Sequence, residues 1–390
     1  MPVPVVPVAN MPESDQAILQ NERVIDMDDV IAYLDPDTSQ FTTMLMKVSR
    51  RGAESTKVEW LEDELFPRLS TVVSGGAADA ATITVATGEG IYFRIGDLVR
   101  NARTGVAARI TTVAGDVITP SNHKGRVAFA AAAAGDQLLI MGNSAAQGAT
   151  LGTRLITKRV AQYNVCGIQR NPYGFTRSLM ASKLYGGPEP MKERKKKGVE
   201  HKRAIEYQLF WGVRDLDLSG NQPIGSSGGV YEYVQTNVQN AAGALTKVLL
   251  DTYMRQCLQH QGDQNGVLFV SPVFSQAISG FLRDAWQPAT VETRLWGAKV
   301  DGFISGAYGY QVPVMVKRDW NDFSTASNQY GGWGFYINMD NVQLNVLRDT
   351  ALLKDRQAND ADSYDEEYLT EFTTKVKVER THGIVTGVTS

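Results

Sequence analysis

Cysteine is nearly absent: Cys166 and Cys257 are the only two in 390 residues. They stand far apart and form no CxxC pairing, which excludes a thiolate zinc site and a disulfide framework. Both are expected to be reduced and buried. Histidine is almost as scarce, and His123, His201, His260 and His382 share no metal-ligand spacing. Long apolar runs are missing as well, since no stretch approaches the ~18 residues of a membrane-crossing helix. The start, Met1-Pro-Val-Pro-Val-Val-Pro-Val, is apolar but broken by Pro2, Pro4 and Pro7, and it lacks the basic flank of a secretory signal. A soluble protein made in the cytoplasm is expected. A strong charge of either sign is lacking too: the net charge of −3 argues against a strongly basic nucleic-acid binder and against an acidic disordered tail.

Signatures of chemistry are equally thin. There is no G-x-S-x-G elbow, no phosphate loop and no GxGxxG opening a helix after a strand, so neither a cofactor nor an enzymatic activity is expected. Glu59, Glu62, Asp63 and Glu64 could in principle supply a general acid and base. Beside Trp60, Leu61 and Leu65, with no substrate cleft indicated, they read instead as a solvated or intersubunit acidic patch. Asp355, Asp360, Asp362, Asp365, Glu366 and Glu367 lack the glycine and spacing of a calcium loop and read as a solvated loop or salt-bridge partners. The strongest basic run is Lys192, Arg194, Lys195, Lys196, Lys197, Lys202 and Arg203. Glu193 and Glu200 interrupt it, and no aromatic stands between the lysines to stack bases. An exposed helix whose positive face meets an acidic neighbour accounts for it better than DNA binding.

What is present is organisation. The length predicts two or three domains. Residues 1 to about 25 show no core-forming period and read as an extended arm. In Asp35-Pro36-Asp37-Thr38, either Asp37 or Thr38 can cap a short helix carrying Phe41, Met44 and Leu45. Residues 54–72 read as a strand leaving the body of the protein. From about 80 to 146, short β-type runs alternate with glycine turns, and Gly-Asp followed by apolar residues recurs at Gly96-Asp97, Gly115-Asp116 and Gly135-Asp136. That is a small inserted β module; within it, Ala128 to Ala134 suits a helix, a strand or a tight connection. The stretch after Thr153 can pair with the outgoing strand, which makes a long two-stranded loop with the module on its tip. A helix follows from about 189 to Trp211, polar nearly all round in its first half. Glu193 with Lys197, and Glu200 with Arg203, are expected ion pairs. The second half, with Ala204, Ile205, Leu209, Phe210 and Trp211, is where it docks. A glycine-rich loop leads to a compact α/β region with helices around 244–260 and 272–284, and strands near Gly266, Tyr310 and Trp333. An alternating strand from Tyr368 then returns to the earlier half.

This order resembles the major capsid proteins of tailed bacteriophages with the Hong Kong 97-like fold. Local patterns carry it as well: Asp37-Thr-Ser-Gln-Phe-Thr-Thr-Met-Leu, Thr56-Lys-Val-Glu-Trp-Leu-Glu-Asp-Glu and Tyr308-Gly-Tyr-Gln-Val-Pro-Val-Met-Val. The resemblance implies an α+β fold with an N-terminal arm at 1–50 and an extended loop at 51–165 carrying the β module at about 80–146. It implies a peripheral domain at 166–235 and 351–390, with its spine helix at about 189–211, and an axial domain at 236–350. The implied role is a structural subunit that self-assembles into the icosahedral head shell around the phage genome. It would be made in the host bacterial cytoplasm and end in the virion, with no cofactor, metal or membrane. Its implied partners are copies of itself in hexamers and pentamers, a separate scaffolding protein, a portal, a decoration protein and, non-specifically, packaged DNA. The expected intersubunit contacts are Glu62, Asp63 and Glu64 against Lys195, Lys196 and Lys197. The competing readings are an encapsulin-like nanocompartment shell, and a phage-associated carbohydrate-binding or hydrolytic protein. The latter is disfavoured because Tyr92, Phe93 and Phe129 are the module's only aromatics.

Overall fold

The computed structural model describes residues 39–75, 82–122, 132–150, 152, 154–182, 189–260, 265–282, 294–295, 298–299, 301–304, 311–323 and 329–389. The Asp35–Thr38 start signal, most of the expected arm and most of the Ala128–Ala134 run lie outside these residues. The chain divides into a larger unit, Met1–Glu59 with Tyr163–Ser390, and a smaller one, Trp60–Gln162.

The smaller unit is a closed six-stranded barrel. Around it the strands run Leu69–Gly75, Ile83–Val85, Val117–Asn122, Ala107–Ala114, Asp97–Asn101 and Gln137–Asn143. Alternation puts Val72, Ile83, Val85, Val99, Ala108, Ile110, Ile118 and Leu138 inside with Phe93, and closure leaves no edge strand to aggregate. The Gly-Asp period is the period of the barrel's turns. Gly96, Gly115 and Gly135 take φ of +91°, +60° and +89°, a region that disfavours other residues, and a strand starts within two residues of each. The aspartates then fasten the turns: Asp97 accepts from the Arg94 amide at 2.8 Å, and Asp116 from the Gly88 and Gly90 amides at 3.0 and 3.1 Å. Asp136 takes hydrogen bonds from Arg103, Asn101 and the Ala133 amide, which together hold its carboxyl far below the usual range.

The barrel starts earlier than the sequence suggests. Residues 54–72 are not one strand: Lys57–Glu62 ends before an irregular stretch containing Pro67, and Leu69–Gly75 is already a stave of the barrel. Proline has no amide to give a ladder, which accounts for the interruption. The strand Lys57–Glu62 pairs with Val160–Val165 in a two-stranded ladder, and through it the chain leaves and returns.

Among the described residues, the two largest sheets of the larger unit have four and six strands. One has the order Arg50–Gly52, Val342–Leu353, Ser363–Val376 and Gly167–Thr176; the other Val238–Ala244, Gly383–Thr389, Gly334–Asn338, Gly266–Val270, Gln311–Val316 and Asp301–Ile304. Gly266–Val270 is buried at every position because both faces of its sheet are covered. Val267 and Phe269 face one core with Ile205, Leu209 and Phe210 of the long helix Glu189–Trp211. Leu268 and Val270 face a second core with Tyr253, Met254 and Cys257 of the helix Lys247–Leu258 and Phe274 of the helix Pro272–Leu282. Cys166 and Cys257 are free thiols and both are buried. The strand expected from Tyr368 begins at Ser363 and lies between Gly167–Thr176 and Val342–Leu353. The last residues part from it: Gly383–Thr389, grouped by the sequence with the 351–390 return, joins the six-stranded sheet between Val238–Ala244 and Gly334–Asn338.

Candidate functional site

The six residues expected at intersubunit contacts fall on two surfaces. Glu62 ends the strand Lys57–Glu62, is half-buried, and accepts a hydrogen bond from Nε1 of buried Trp60 at 2.8 Å. Asp63 and Glu64 are exposed in the irregular stretch that follows, with Asp63 at 3.9 Å from Nε of Arg159. Leu61 and Leu65, 65% and 94% exposed, stand among these carboxylates, so the acidic patch is also an apolar one.

Lys195 and Lys196 are exposed on the first half of the long helix, while Lys197 is half-buried. The helix's ion pairs differ from the expected ones. Lys197 pairs with Glu200 at 2.6 Å and Lys196 approaches Glu193 at 4.0 Å, both one turn apart at i,i+3. The hydrogen bond from Lys197 to Glu200 raises the lysine pKa. Arg203 instead hydrogen-bonds Tyr207 further along the helix. On a helix the i+3 and i+4 positions are both within reach, and rotamers choose between them.

Arg194 leaves the basic run altogether. Its Nε and Nη2 reach the Glu366 carboxylate at 3.0 and 2.6 Å, and the same carboxylate accepts from the Tyr173 and Tyr364 hydroxyls. Burial alone would raise the Glu366 carboxyl, but these partners outweigh it and hold its pKa below the ordinary value. Glu367 is held alike by Arg170, through two 2.8 Å bonds, and by Arg356 at 3.2 Å. The end of the second acidic run is therefore a pair of clasps, one of which fixes the long helix to the strand Ser363–Val376.

A buried charge cluster escaped the sequence reading. Glu206 and Lys317 are each 1% exposed, and their charged ends lie 2.6 Å apart. Glu206 also accepts from the Phe41 amide at 2.9 Å, the Thr42 amide at 2.6 Å and the Thr42 hydroxyl. The helix Gln40–Val48 has no side-chain cap of its own at Ser39; the Glu206 carboxylate, 164 residues away, does that work at the positive end of the helix. Lys317 follows the strand Gln311–Val316 and lies 4.0 Å from Asp319. One cluster thus joins the short helix, the long helix and the six-stranded sheet. The readable signal was a lone carboxylate inside the apolar docking half of the long helix, a position that is costly unless it is paired.

A family model described as SU10 major capsid protein matches residues 11–389. A curated major capsid protein of Pseudomonas phage PaMx41 is 25% identical over 185 residues, which are 47% of this chain and 44% of that protein; the chain thus matches less than half of its relative's length. Among solved structures, Gordonia phage Cozz gives a TM-score of 0.49 at 8% identity over 100% of this chain and 99% of the other. The capsid of a native GTA particle gives 0.47 at 11% over 95% and 96%. The holo-SrpI encapsulin complex of Synechococcus elongatus gives 0.43 at 10% over 60% and 78%.

Proposed function

The chain belongs to the SU10 major capsid protein family, and from that premise we propose that it self-assembles into the icosahedral head shell that encloses a tailed phage's genome. The family match, which spans nearly the whole chain, carries this reading. In it, residues 1–50 act as an arm and 51–165 as an extended loop tipped by the barrel. Residues 166–235 and 351–382 form a peripheral domain, and 236–350, with the strand Gly383–Thr389 in its sheet, an axial domain that meets its copies in hexamers and pentamers. A separate scaffolding protein, a portal and a decoration protein are the further partners, and contact with DNA is non-specific.

Assembly in this reading sums many modest contacts. The exposed carboxylates of Asp63 and Glu64, with Leu61 and Leu65 beside them, suit a partner that is both cationic and apolar. Lys195 and Lys196 offer the cationic part. Glu62 and Lys197 contribute less, because each is half-buried within its own chain. The test is electron microscopy of the purified, negatively stained protein. Closed particles or capsomer rings are expected; a persistent monomer would overturn the reading.

A further inference from the structure

Two exposed surfaces of the chain complement each other in charge and in apolar character. On the outside of the barrel, Leu69 stands directly opposite Leu139, and Leu139 opposite Arg100. Met141, two residues further along the same strand, is the extra residue of a bulge, where Ile140 stands opposite Val99 and Gly142 opposite Leu98. Leu69, Leu139 and Met141 are 49%, 37% and 40% exposed. The next strand brings exposed Arg109 opposite Leu98. Among the exposed positions of these four strands the charged residues are Arg100 and Arg109, and there is no carboxylate.

The second surface is the glycine-rich hairpin that pairs Asp215–Asp217 with Ile224–Ser226. Its base is seated: Gly225 lies so close to the Cys166 carbonyl that a Cβ would come within 2.5 Å of it. Its tip is not. Leu216, Leu218 and Ile224 are 47%, 70% and 67% exposed. Asp215 and Asp217 are exposed beside them, and no lysine or arginine occurs from 215 to 229. Two three-residue strands make a ribbon that is marginal by itself in water, and three large exposed apolar side chains on it call for a covering surface.

Leu216 stands opposite the seated Gly225, whereas Ile224 stands opposite Asp217, so Ile224 shares the ribbon's other face with Asp215 and Asp217. We propose that this face of the hairpin in one copy docks on the barrel face of a neighbouring copy, with Ile224 against Leu69, Leu139 and Met141. Asp215 and Asp217 then come beside Arg100 and Arg109. The occupant is a second copy because one chain carries both halves of the match: an apolar face with two cations and no anion, and an apolar ribbon with two anions and no cation. Opposed potentials of this kind fix register and exclude wrong partners more than they add affinity. The inference rests on the shell reading and specifies which surfaces of neighbouring subunits meet.

The test mixes two chains during assembly, one carrying only Leu139→Cys and the other only Ile224→Cys; the native cysteines are buried. Mild oxidation of the assembled particles is expected to give a disulfide-linked dimer that neither variant gives alone. In parallel, Arg100→Glu with Arg109→Glu, and Asp215→Arg with Asp217→Arg, should each lower particle yield by at least about tenfold, since like charges are then opposed. Combining all four substitutions should restore it. Particles that form normally with either reversal, or that yield no mixed dimer, overturn the docking and leave the shell reading intact. Failure of the unmodified chain to form particles overturns both.

Discussion

Glu206 and Lys317 bury opposite charges where each has the other within 2.6 Å, and the Phe41 and Thr42 amides and the Thr42 hydroxyl also donate to the carboxylate. Lys317→Met alone leaves that carboxylate buried without its counter-charge, a change that costs about 3–5 kcal/mol. Glu206→Leu with Lys317→Met removes both charges and should cost less than the sum of the single changes, as urea unfolding of the four combinations would measure. Histidine burial sets a pH dependence. His382 accepts from the Asn338 amide at Nδ1, which leaves Nε2 to donate to the Lys377 carbonyl, each at 3.2 Å. Burial pushes its pKa down to about 4, and burial lowers His201 as well. As pH falls, the unfolded chain takes up these protons first, so stability is retained above about pH 6.5 and lost on the way down to pH 4. Between pH 7 and 5 His382 should account for about 1–2 kcal/mol of the loss, and His382→Gln should flatten the slope of urea stability against pH. The sequence showed scarce histidines but not their burial, because burial is a property of what packs around them.

At the scale of elements, periodicity was most legible where an element's own residues decide its state. The long helix ends at Trp211 as read, and the helices Lys247–Leu258 and Pro272–Leu282 fall inside their expected spans. The barrel was legible through its glycines, since positive φ at Gly96, Gly115 and Gly135 is a local demand. Its first stave was not, because Leu69–Gly75 alternates just as the outgoing strand does; Pro67 interrupts the two, but only closure of the barrel assigns the second to it. In the long helix, the division of the basic residues between internal clasps and outward charges depended on the fold: Arg194 turned inward to Glu366, while Lys195 and Lys196 stayed exposed. Reversing Lys195, Lys196 and Lys197 to glutamate should therefore spare the helix's attachment and the far-UV circular dichroism of the monomer. It should abolish closed particles in negative-stain images, and normal particles from the triple variant would remove these lysines from assembly.

For the whole molecule, each core belongs to one unit: the barrel's apolar residues cluster with one another, and the two remaining clusters lie within the larger unit. The barrel's first and last strands are adjacent, since Leu69 pairs with Leu139 and the Ile140 amide donates to the Arg68 carbonyl at 2.8 Å. A short Gly-Ser linker in place of residues 69–143 should therefore leave the larger unit folded, with the near-UV circular dichroism of buried Trp320 and Trp333 retained; loss of that signal would mean that the units fold as one. The amino-acid order by itself determined the α+β class, the inserted β module, the long charged helix and the resemblance to capsid subunits. Each of these is written in spacings of a few residues, where turn chemistry and hydrophobic alternation act locally. Only the tertiary structure decided that Glu206 caps the helix Gln40–Val48, that Arg194 is a tether, that Gly383–Thr389 joins the six-stranded sheet, and that the barrel begins at Leu69. All four depend on groups brought together from distant parts of the chain, whose pairing is set by packing and desolvation in three dimensions.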